Sequence, residues 1–478
     1  MKREQLLSLI FMVFAVLFAL FFALTGCDAK EPVGISSAGI NENGELVLQY
    51  TDGSTQNLGT VVGEDGKDGA NGLDGEKGKD GKDGKDGEKG EKGDPGENGA
   101  DGLDGKNGAD GKDGSITLSG AESSVSLATS KGMQSAVKIT CAFTRTVTYP
   151  GYLGGSSLYS YSSAGAGVIY KFDKSEGDAF IITNYHVVYD SNSNTDDGIS
   201  KNIKIYLYGS ETASQAISAT YVGGSLYYDI AVLHIDNSEL LKHSDVSAVS
   251  TCSSDELCVG DTAIAIGNPE NLGISASCGV VSLDSEYITM TAADNTTTVK
   301  FRVMRIDTAI NSGNSGGGLF NINGELIGIV NAKISDSSVE NIGYAIPSNI
   351  ATRVADNIIH NCFGTDIYTV MKAQLGVTVT ANNSRAEYNE STGRIGISET
   401  VTVYEVSEGS LTDGIIVKGD VINSISVGDF TVNVTRVHHV LDAMLIAKVG
   451  DTVTVSFSRG NESYTKSFVI TSDHVIPY

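Results

Sequence analysis

Positive charge is scarce in this sequence. Its 478 residues contain 33 Lys and Arg against 59 Asp and Glu, which gives a formal net charge of −26. Because nucleic-acid-binding surfaces need clusters of Lys and Arg to meet phosphates, we expect no nucleic-acid partner. The seven histidines and six cysteines show no spacing typical of zinc sites, so we expect neither a bound metal nor another cofactor.

Long apolar runs are also rare, and the clearest spans residues 6–24, shortly after the basic residues Lys2 and Arg3. It ends in Leu24-Thr25-Gly26-Cys27, which resembles a bacterial lipobox. We therefore interpret residues 1–27 as a lipoprotein signal peptide with lipidated Cys27. The alternative is an uncleaved transmembrane helix, because the run approaches the length that spans a bilayer. Both alternatives predict an extracytoplasmic protein at the bacterial cell membrane or cell surface.

Proline is almost missing from a segment in which glycine recurs at every third position, residues 63–114. This period is typical of a collagen triple helix, since only glycine fits the crowded axis of three chains. A flexible Gly-rich linker is the alternative, but it would not keep a strict period. Pro95 is the only proline there, so the preference for the collagen conformation is weak. We predict a collagen-like, trimeric stalk, preceded by a small β module over residues 28–62 with strands at 44–53 and 57–62.

Three separated motifs carry the chemistry. His186 ends an apolar run, Asp229 precedes another, and Ser315 lies in the glycine-rich segment Asn311-Ser312-Gly313-Asn314-Ser315-Gly316-Gly317-Gly318. A serine hydroxyl becomes a good nucleophile when a neutral imidazole takes its proton, and that imidazole needs a carboxylate to orient it. The order His, Asp, Ser along the chain is that of chymotrypsin-type proteases. The motifs therefore predict a catalytic triad.

With these motifs, residues 127–478 resemble the HtrA/DegP family of trypsin-like serine proteases. Ala263-Ile264-Ala265-Ile266-Gly267-Asn268-Pro269 and Ile342-Gly343-Tyr344-Ala345-Ile346-Pro347 add to the resemblance. It implies a mainly β fold. A linker (115–126) leads into a chymotrypsin-like double β-barrel (127–362), and a PDZ domain (366–478) follows. Family members are commonly trimers, which agrees with the stoichiometry of a collagen helix, so we expect a homotrimer.

The resemblance also implies further site residues. The backbone around Gly313, Asn314 and Ser315 would form an oxyanion hole, and Leu375-Gly376-Val377 would bind the carboxylate of peptide C-termini. The substrate pocket would be lined by Ala309, Ile329, Val330 and Asn331. This apolar pocket favours small aliphatic residues before the cut. Ser312 and Gly318 occupy positions where the family usually has proline, which loosens the loop without removing a catalytic group.

The expected function is therefore a membrane-tethered serine endopeptidase that degrades or processes unfolded or damaged exported proteins. Three alternatives remain open. An inactive protease fold would bind peptides through the PDZ groove without cutting, a collagen-like adhesin would use the stalk, and a processing protease would cut one substrate.

We predict structural rather than catalytic roles for several other Cys and His residues. Cys252 and Cys258 flank a short loop and form either a disulfide or two free thiols. Cys141 and Cys278 are interpreted as core residues, and His234 and His243 as exposed. His438 and His439 lie on a helix-like run, 437–448, and are interpreted as solvated or paired with Asp442.

Overall fold

The computed structural model describes residues 35–41, 45–60, 121–148, 156–332, 342–390 and 393–478. The chain divides into two compact units, Met1–Asn107 and Gly108–Tyr478. Within the described ranges no helix is both long and apolar enough to cross a membrane. The predicted signal peptide, Cys27 and the repeat over 63–114 lie outside the described residues.

The first unit contains a three-stranded antiparallel sheet, β1 (Ile35–Ile40), β2 (Glu45–Tyr50) and β3 (Thr55–Thr60), in that order. Gly53 takes φ +83° in the β2–β3 turn and donates its N–H to Tyr50 O at 3.0 Å. A positive φ suits glycine, so the Asp52-Gly53 pair favours a turn at this point. The two predicted strands are confirmed, whereas β1 was missed.

The first described element of the second unit is helix α1 (Ala121–Met133). It starts inside the segment predicted as a linker. Close packing fixes its end, because a side chain at Gly132 would lie 2.5 Å from Ile266 Cδ1. Lys131 Nζ donates to Asn323 O at 3.1 Å.

Two closed barrels of six strands follow, which confirms the predicted double β-barrel. The strands of the first barrel pair in the order β4-β5-β6-β9-β8-β7. They are β4 (Ala136–Thr148), β5 (Ser156–Asp173), β6 (Asp178–Thr183), β7 (Asn202–Leu207), β8 (Ile217–Ser225) and β9 (Ile230–Ile235). Two short helices, α2 (Tyr185–Val188) and α3 (Glu239–Lys242), lie in its connections. All six residues of β9 are buried, as expected for a nearly continuous apolar run at the centre of a domain.

The second barrel pairs its strands in the order β10-β11-β12-β15-β14-β13. They are β10 (Thr262–Gly267), β11 (Ser275–Thr291), β12 (Thr298–Ile306), β13 (Gly318–Phe320), β14 (Leu326–Val330) and β15 (Gly343–Pro347). Helix α4 (Ser348–Cys362) closes the barrel region. Its buried face includes Ile350, Val354 and Ile358, which recur at helical spacing and join the hydrophobic core.

The C-terminal domain has its own core and a sheet of order β17-β18-β19-β21-β22, with β20 paired to β19. Its elements are β16 (Met371–Ala373), β17 (Val377–Asn389), β18 (Arg394–Val406), β19 (Val421–Val427), β20 (Phe430–Asn433), α5 (Val437–Ala443), β21 (Thr452–Arg459), β22 (Glu462–Val469) and β23 (Val475–Pro477). Strands β16 and β23 form a separate two-stranded antiparallel sheet. The polar stretch after residue 381 extends β17 as part of an exposed hairpin with β18.

Ion pairs join the C-terminal domain to the second barrel. Arg302 on β12 contacts Asp442 on α5 at 2.5 Å, and both side chains are buried. Arg436 contacts Asp284 at 2.9 Å. Buried pairs need good geometry to offset the desolvation of both ions. These contacts therefore fix how the domain lies against the barrel.

Candidate active site

His186 and Asp229 meet at one end of the first barrel. Helix α2 carries His186 directly after β6, and Asp229 occupies the turn between β8 and β9. His186 Nδ1 lies 2.7 Å from Asp229 Oδ2, and the His186 backbone N–H donates to Oδ1 at 3.0 Å. A carboxylate only accepts hydrogen bonds, so Nδ1 carries the proton and Nε2 of the neutral ring is an acceptor. This is the tautomer that a general base requires.

The Asp229 turn is held by its neighbours as well. Asp229 has φ +50°, which is uncommon for a residue with a side chain, and it is 7% exposed. Its carbonyl accepts from Asn184 Nδ2 at 2.9 Å and from the Tyr185 N–H at 3.2 Å. Asn331, at the end of β14, donates Nδ2 to Asp229 Oδ2 at 2.8 Å. The second barrel therefore contributes a hydrogen bond to the carboxylate.

Ser315 lies in a loop that packs against this same end of the first barrel. Its carbonyl accepts from the Ala166 N–H at 2.8 Å. Gly316 has φ +84°, and a side chain there would lie 2.2 Å from Thr183 Oγ1 and 3.0 Å from Asn184 N. Only glycine permits this approach. The structure therefore places Ser315 beside the segment that leads into His186.

The N–H groups of the serine loop divide into two sets. Those of Asn314, Gly316 and Gly317 donate to the carbonyls of residues 311, 330 and 314 at 3.0–3.1 Å. Within the described part of the chain, the N–H groups of Gly313 and Ser315 have no acceptor. Two such donors, one at and one beside a serine, are typical of an oxyanion hole. Asn314, predicted to share in it, has its N–H committed to the turn.

The four residues predicted to line the substrate pocket differ in exposure to solvent. Ala309 is exposed, and its carbonyl accepts from Ser277 Oγ at 2.9 Å. Ile329 and Val330 have completely covered side chains in two hydrophobic cores. The Asn331 side chain points to Asp229. Of these four residues, only Ala309 has an exposed side chain, and the lining of the pocket by the other three stays a prediction.

The predicted carboxylate-binding loop joins β16 to β17. Gly376 has φ +81°, and a side chain there would overlap Ser410. The carbonyls of Leu375 and Gly376 accept from Thr412 Oγ1 at 2.9 Å and from the Ser407 N–H at 2.8 Å. Among the described residues, the N–H groups of Leu375 and Gly376 have no acceptor. Val377 already belongs to β17.

Several histidine predictions are wrong. His234 is buried rather than exposed, with Nε2 2.7 Å from Asp178 and its ring between Phe180 and Phe363. His438 and His439 are buried rather than solvated, because α5 packs on the second barrel. The exposed position predicted for His243 is confirmed.

One cluster at this contact resembles a metal site. Side-chain atoms of Asp255, His438 and His439 lie within 4.8 Å of one another. However, Arg302 Nη1 lies 3.5 Å from the Asp255 carboxylate and already supplies positive charge. We interpret the cluster as an ion-pair network. Burial and the neighbouring His438 lower the pKa of His439 to about 4.

The cysteine predictions have mixed outcomes. Cys252 and Cys258 are free thiols in the structure, so the disulfide alternative is not realised. Cys141 is buried as predicted, whereas Cys278 is exposed on β11 rather than part of a core.

The chain is similar in sequence and structure to known proteins and protein families. Residues 165–329 match the trypsin-like peptidase domain, and residues 63–122 match the collagen triple helix repeat, which confirms the predicted collagen-like repeat. The serine protease Do-like HtrA of Lactococcus lactis subsp. cremoris is 35% identical over 315 residues, 64% of this chain and 70% of that protein. The HtrA of Bacillus subtilis is 31% identical over 320 residues, 65% of this chain and 64% of that protein. The structure of the HtrA-type protease AlgW with decapeptide is 24% identical, with a TM-score of 0.45, and covers 74% of this chain and 99% of that one.

The family is shown by the Lactococcus relative, which is 35% identical and aligned over 70% of its own length. The chain is a serine endopeptidase and belongs to the HtrA family of trypsin-like serine proteases.

Proposed function

We propose that the endopeptidase works outside the cytoplasm, tethered to the cell membrane through lipid on Cys27, and that it degrades or processes unfolded or damaged exported proteins. The observation that carries its catalytic part is the 2.7 Å contact between His186 Nδ1 and Asp229 Oδ2, beside the loop that holds Ser315. Asp229 orients the ring, and His186 removes the proton from Ser315 Oγ as this oxygen attacks the scissile carbonyl. His186 then passes the proton to the leaving amine.

The oxyanion is stabilised by the N–H groups of Gly313 and Ser315. Both lack an acceptor among the described residues, and Gly313 keeps φ +93°. Donors that are already oriented need no rearrangement when negative charge develops on the substrate oxygen. Deacylation reuses the same groups, with water in place of the leaving amine.

The substrate residue before the cut is small and aliphatic. Ala309 is exposed and carries no charge, so this position has no carboxylate to pair with a substrate Arg or Lys. Peptides that differ only at this residue test the proposal. Val is expected to exceed Arg in kcat/KM, and a preference for Arg would refute the assignment.

The C-terminal domain acts as a PDZ domain that captures peptide C-termini. The N–H groups of Leu375 and Gly376 have no acceptor among the residues that the structure describes, and this supports the role, because such donors bind a terminal carboxylate. The collagen repeat match supports a homotrimer, since a collagen helix requires three chains. Sedimentation of the full chain tests this state, and a monomer would count against it.

The decisive experiment compares casein cleavage by the wild type, Ser315→Ala and Ser312→Ala. Ser312 lies in the same loop but has no proposed catalytic role, so its variant controls for disturbance of the loop. We expect cleavage to be lost only in Ser315→Ala, together with labelling by a fluorophosphonate probe. Unchanged cleavage in Ser315→Ala would refute the nucleophile. A wild type that binds but does not cut would support a binding function instead.

A further inference from the structure

Tyr228, the residue before Asp229, connects the catalytic turn to the C-terminal domain. Its side chain is buried, and only 9% of the residue is exposed. Its N–H donates to Ser225 Oγ at 3.3 Å, and Ser225 Oγ donates to the backbone oxygen of Tyr478 at 3.2 Å. A segment more than 200 residues away in sequence therefore supports the turn that contains Asp229.

Lys372 contacts both tyrosines, Tyr228 and Tyr478. Its Nζ donates to the Tyr228 hydroxyl at 3.0 Å and lies 4.3 Å from the centre of the Tyr478 ring. The rings of Tyr228 and Tyr478 are 5.2 Å apart. A lysine ammonium over an aromatic face is attracted by the ring quadrupole, more strongly when water is excluded. Burial raises the pKa of Tyr228 well above its usual value, so the hydroxyl that accepts from Lys372 is neutral.

The two-stranded sheet of the C-terminal domain supplies both partners. Lys372 is the central residue of β16 and pairs with Ile476 of β23. Tyr478 follows β23, donates its N–H to Val370 O at 2.8 Å and accepts from Thr369 Oγ1 at 3.1 Å. Backbone hydrogen bonds thus fix Lys372 and Tyr478 relative to each other.

We propose that Lys372 and Tyr478 are positioning residues for catalysis, which act on Asp229 through Tyr228. We call Tyr228, Lys372 and Tyr478 the tyrosine clasp. This inference rests on the triad assignment of the proposed function. Asp229 has φ +50°, a conformation that costs a residue with a side chain free energy and persists only when its surroundings impose it. The clasp imposes it, and without the clasp the turn relaxes and the carboxylate moves away from His186.

Strand β16 also lies next to the proposed peptide-binding loop in sequence. The loop Leu375-Gly376-Val377 starts two residues after β16 ends, and the Gln374 N–H is bonded to His474 O at 2.8 Å. A peptide carboxylate bound at this loop would contact the chain three residues from Lys372. The clasp thus links the proposed peptide site to Asp229: the chain leads from Leu375 to Lys372, and a hydrogen bond leads from Lys372 to Tyr228, the residue before Asp229.

The test uses full-length Lys372→Met, Lys372→Arg and Tyr228→Phe. Lys418→Met is the matched control, because Lys418 Nζ lies 4.7 Å over the Tyr404 ring of the same domain. Lys372→Met is expected to lower kcat about tenfold with KM within about twofold, since misplacement of a catalytic group lowers kcat steeply. Lys372→Arg is expected to restore most of the loss, and Lys418→Met to change little. Wild-type kcat in both Lys372→Met and Tyr228→Phe would overturn the proposal.

A double-mutant cycle with Asp229→Asn separates positioning from general damage. If the clasp acts through Asp229, Lys372→Met lowers kcat no further in the Asp229→Asn background. The same fold-loss in both backgrounds would overturn the proposal and assign the effect to folding. Full activity in Asp229→Asn alone would overturn the triad assignment itself. If Lys372→Met does not fold by circular dichroism, Tyr228→Phe takes its place in the cycle, because it removes only the hydroxyl.

Discussion

Asn331 provides the sharpest test of the site geometry. Its Nδ2 donates to Asp229 Oδ2 at 2.8 Å, and the residue is only 1% exposed. A hydrogen bond to a charged acceptor is worth roughly 1.5–3 kcal/mol. If this bond holds the carboxylate for the transition state, its loss lowers kcat by roughly 10- to 150-fold. We therefore expect Asn331→Ala to lose activity in that range.

The assay is kcat and KM on a chromogenic peptide, with the melting temperature measured in parallel. Ser348→Ala is the matched control, since Ser348 is also buried and donates Oγ at 2.7 Å, in its case to the Cys252 carbonyl. Both variants should lose stability, because each removes a buried hydrogen bond. Only Asn331→Ala should lose kcat. Wild-type kcat in Asn331→Ala, or equal kcat losses in the two variants, would refute a role of Asn331 in holding Asp229.

Three other predictions concern the oxyanion loop, the domain contact and the thiols. Gly313→Ala should abolish casein cleavage, because the new methyl group would lie 2.2 Å from Asn268 O. Gly364→Ala is the control: Gly364 also has a positive φ, but its new methyl group would meet no atom within 4 Å, so this variant should stay active. Because burial lowers the pKa of His439 to about 4, the unfolded state binds more protons between pH 4 and about 6.5. Measured by urea titration, the free energy of unfolding should therefore fall by up to about 3 kcal/mol on acidification through this window, and by less in His439→Asn. His243→Asn, which alters an exposed histidine, should keep the wild-type fall; a fall as small as that in His439→Asn would contradict this assignment. Burial raises the pKa of Cys141 to about 12 and of Cys362 to about 11, so alkylation followed by mass spectrometry should modify exposed Cys278 in the native protein and these two only after unfolding.

The barrels and the three catalytic candidates could be predicted from the sequence because their signals are local. Alternating or continuous apolar runs give strands, and the glycines around Ser315 reflect the close approach of Gly316 to Thr183. The role of Asn331 could not be predicted in this way. Its partner Asp229 is 102 residues away, and the hydrogen bond exists only after both barrels have formed and packed together.

The errors at His234, His438 and Cys278 have a related cause. His438 lies on a short helix whose polar residues suggested a solvated face, but that face packs on Arg302 and Asp255 of the second barrel. His234 is covered by Phe363 from beyond α4. Cys278 lies among apolar neighbours in sequence, yet β11 turns its thiol outward. Local patterns describe the alternation of faces, whereas tertiary packing decides which face is covered.

Asp229 is the point at which three parts of the chain meet. His186 belongs to the first barrel, Asn331 to the second, and the partners of Tyr228 to the C-terminal sheet. Each part could fold correctly by itself and still leave the carboxylate misplaced, because no single part supplies all of its contacts. The orientation of His186 therefore depends on assembly of the whole unit, Gly108–Tyr478. If Asp229 and the tyrosine clasp act as proposed, full activity requires docked domains, and a change at the C-terminal sheet reaches the catalytic centre through Tyr228 without any contact with the substrate.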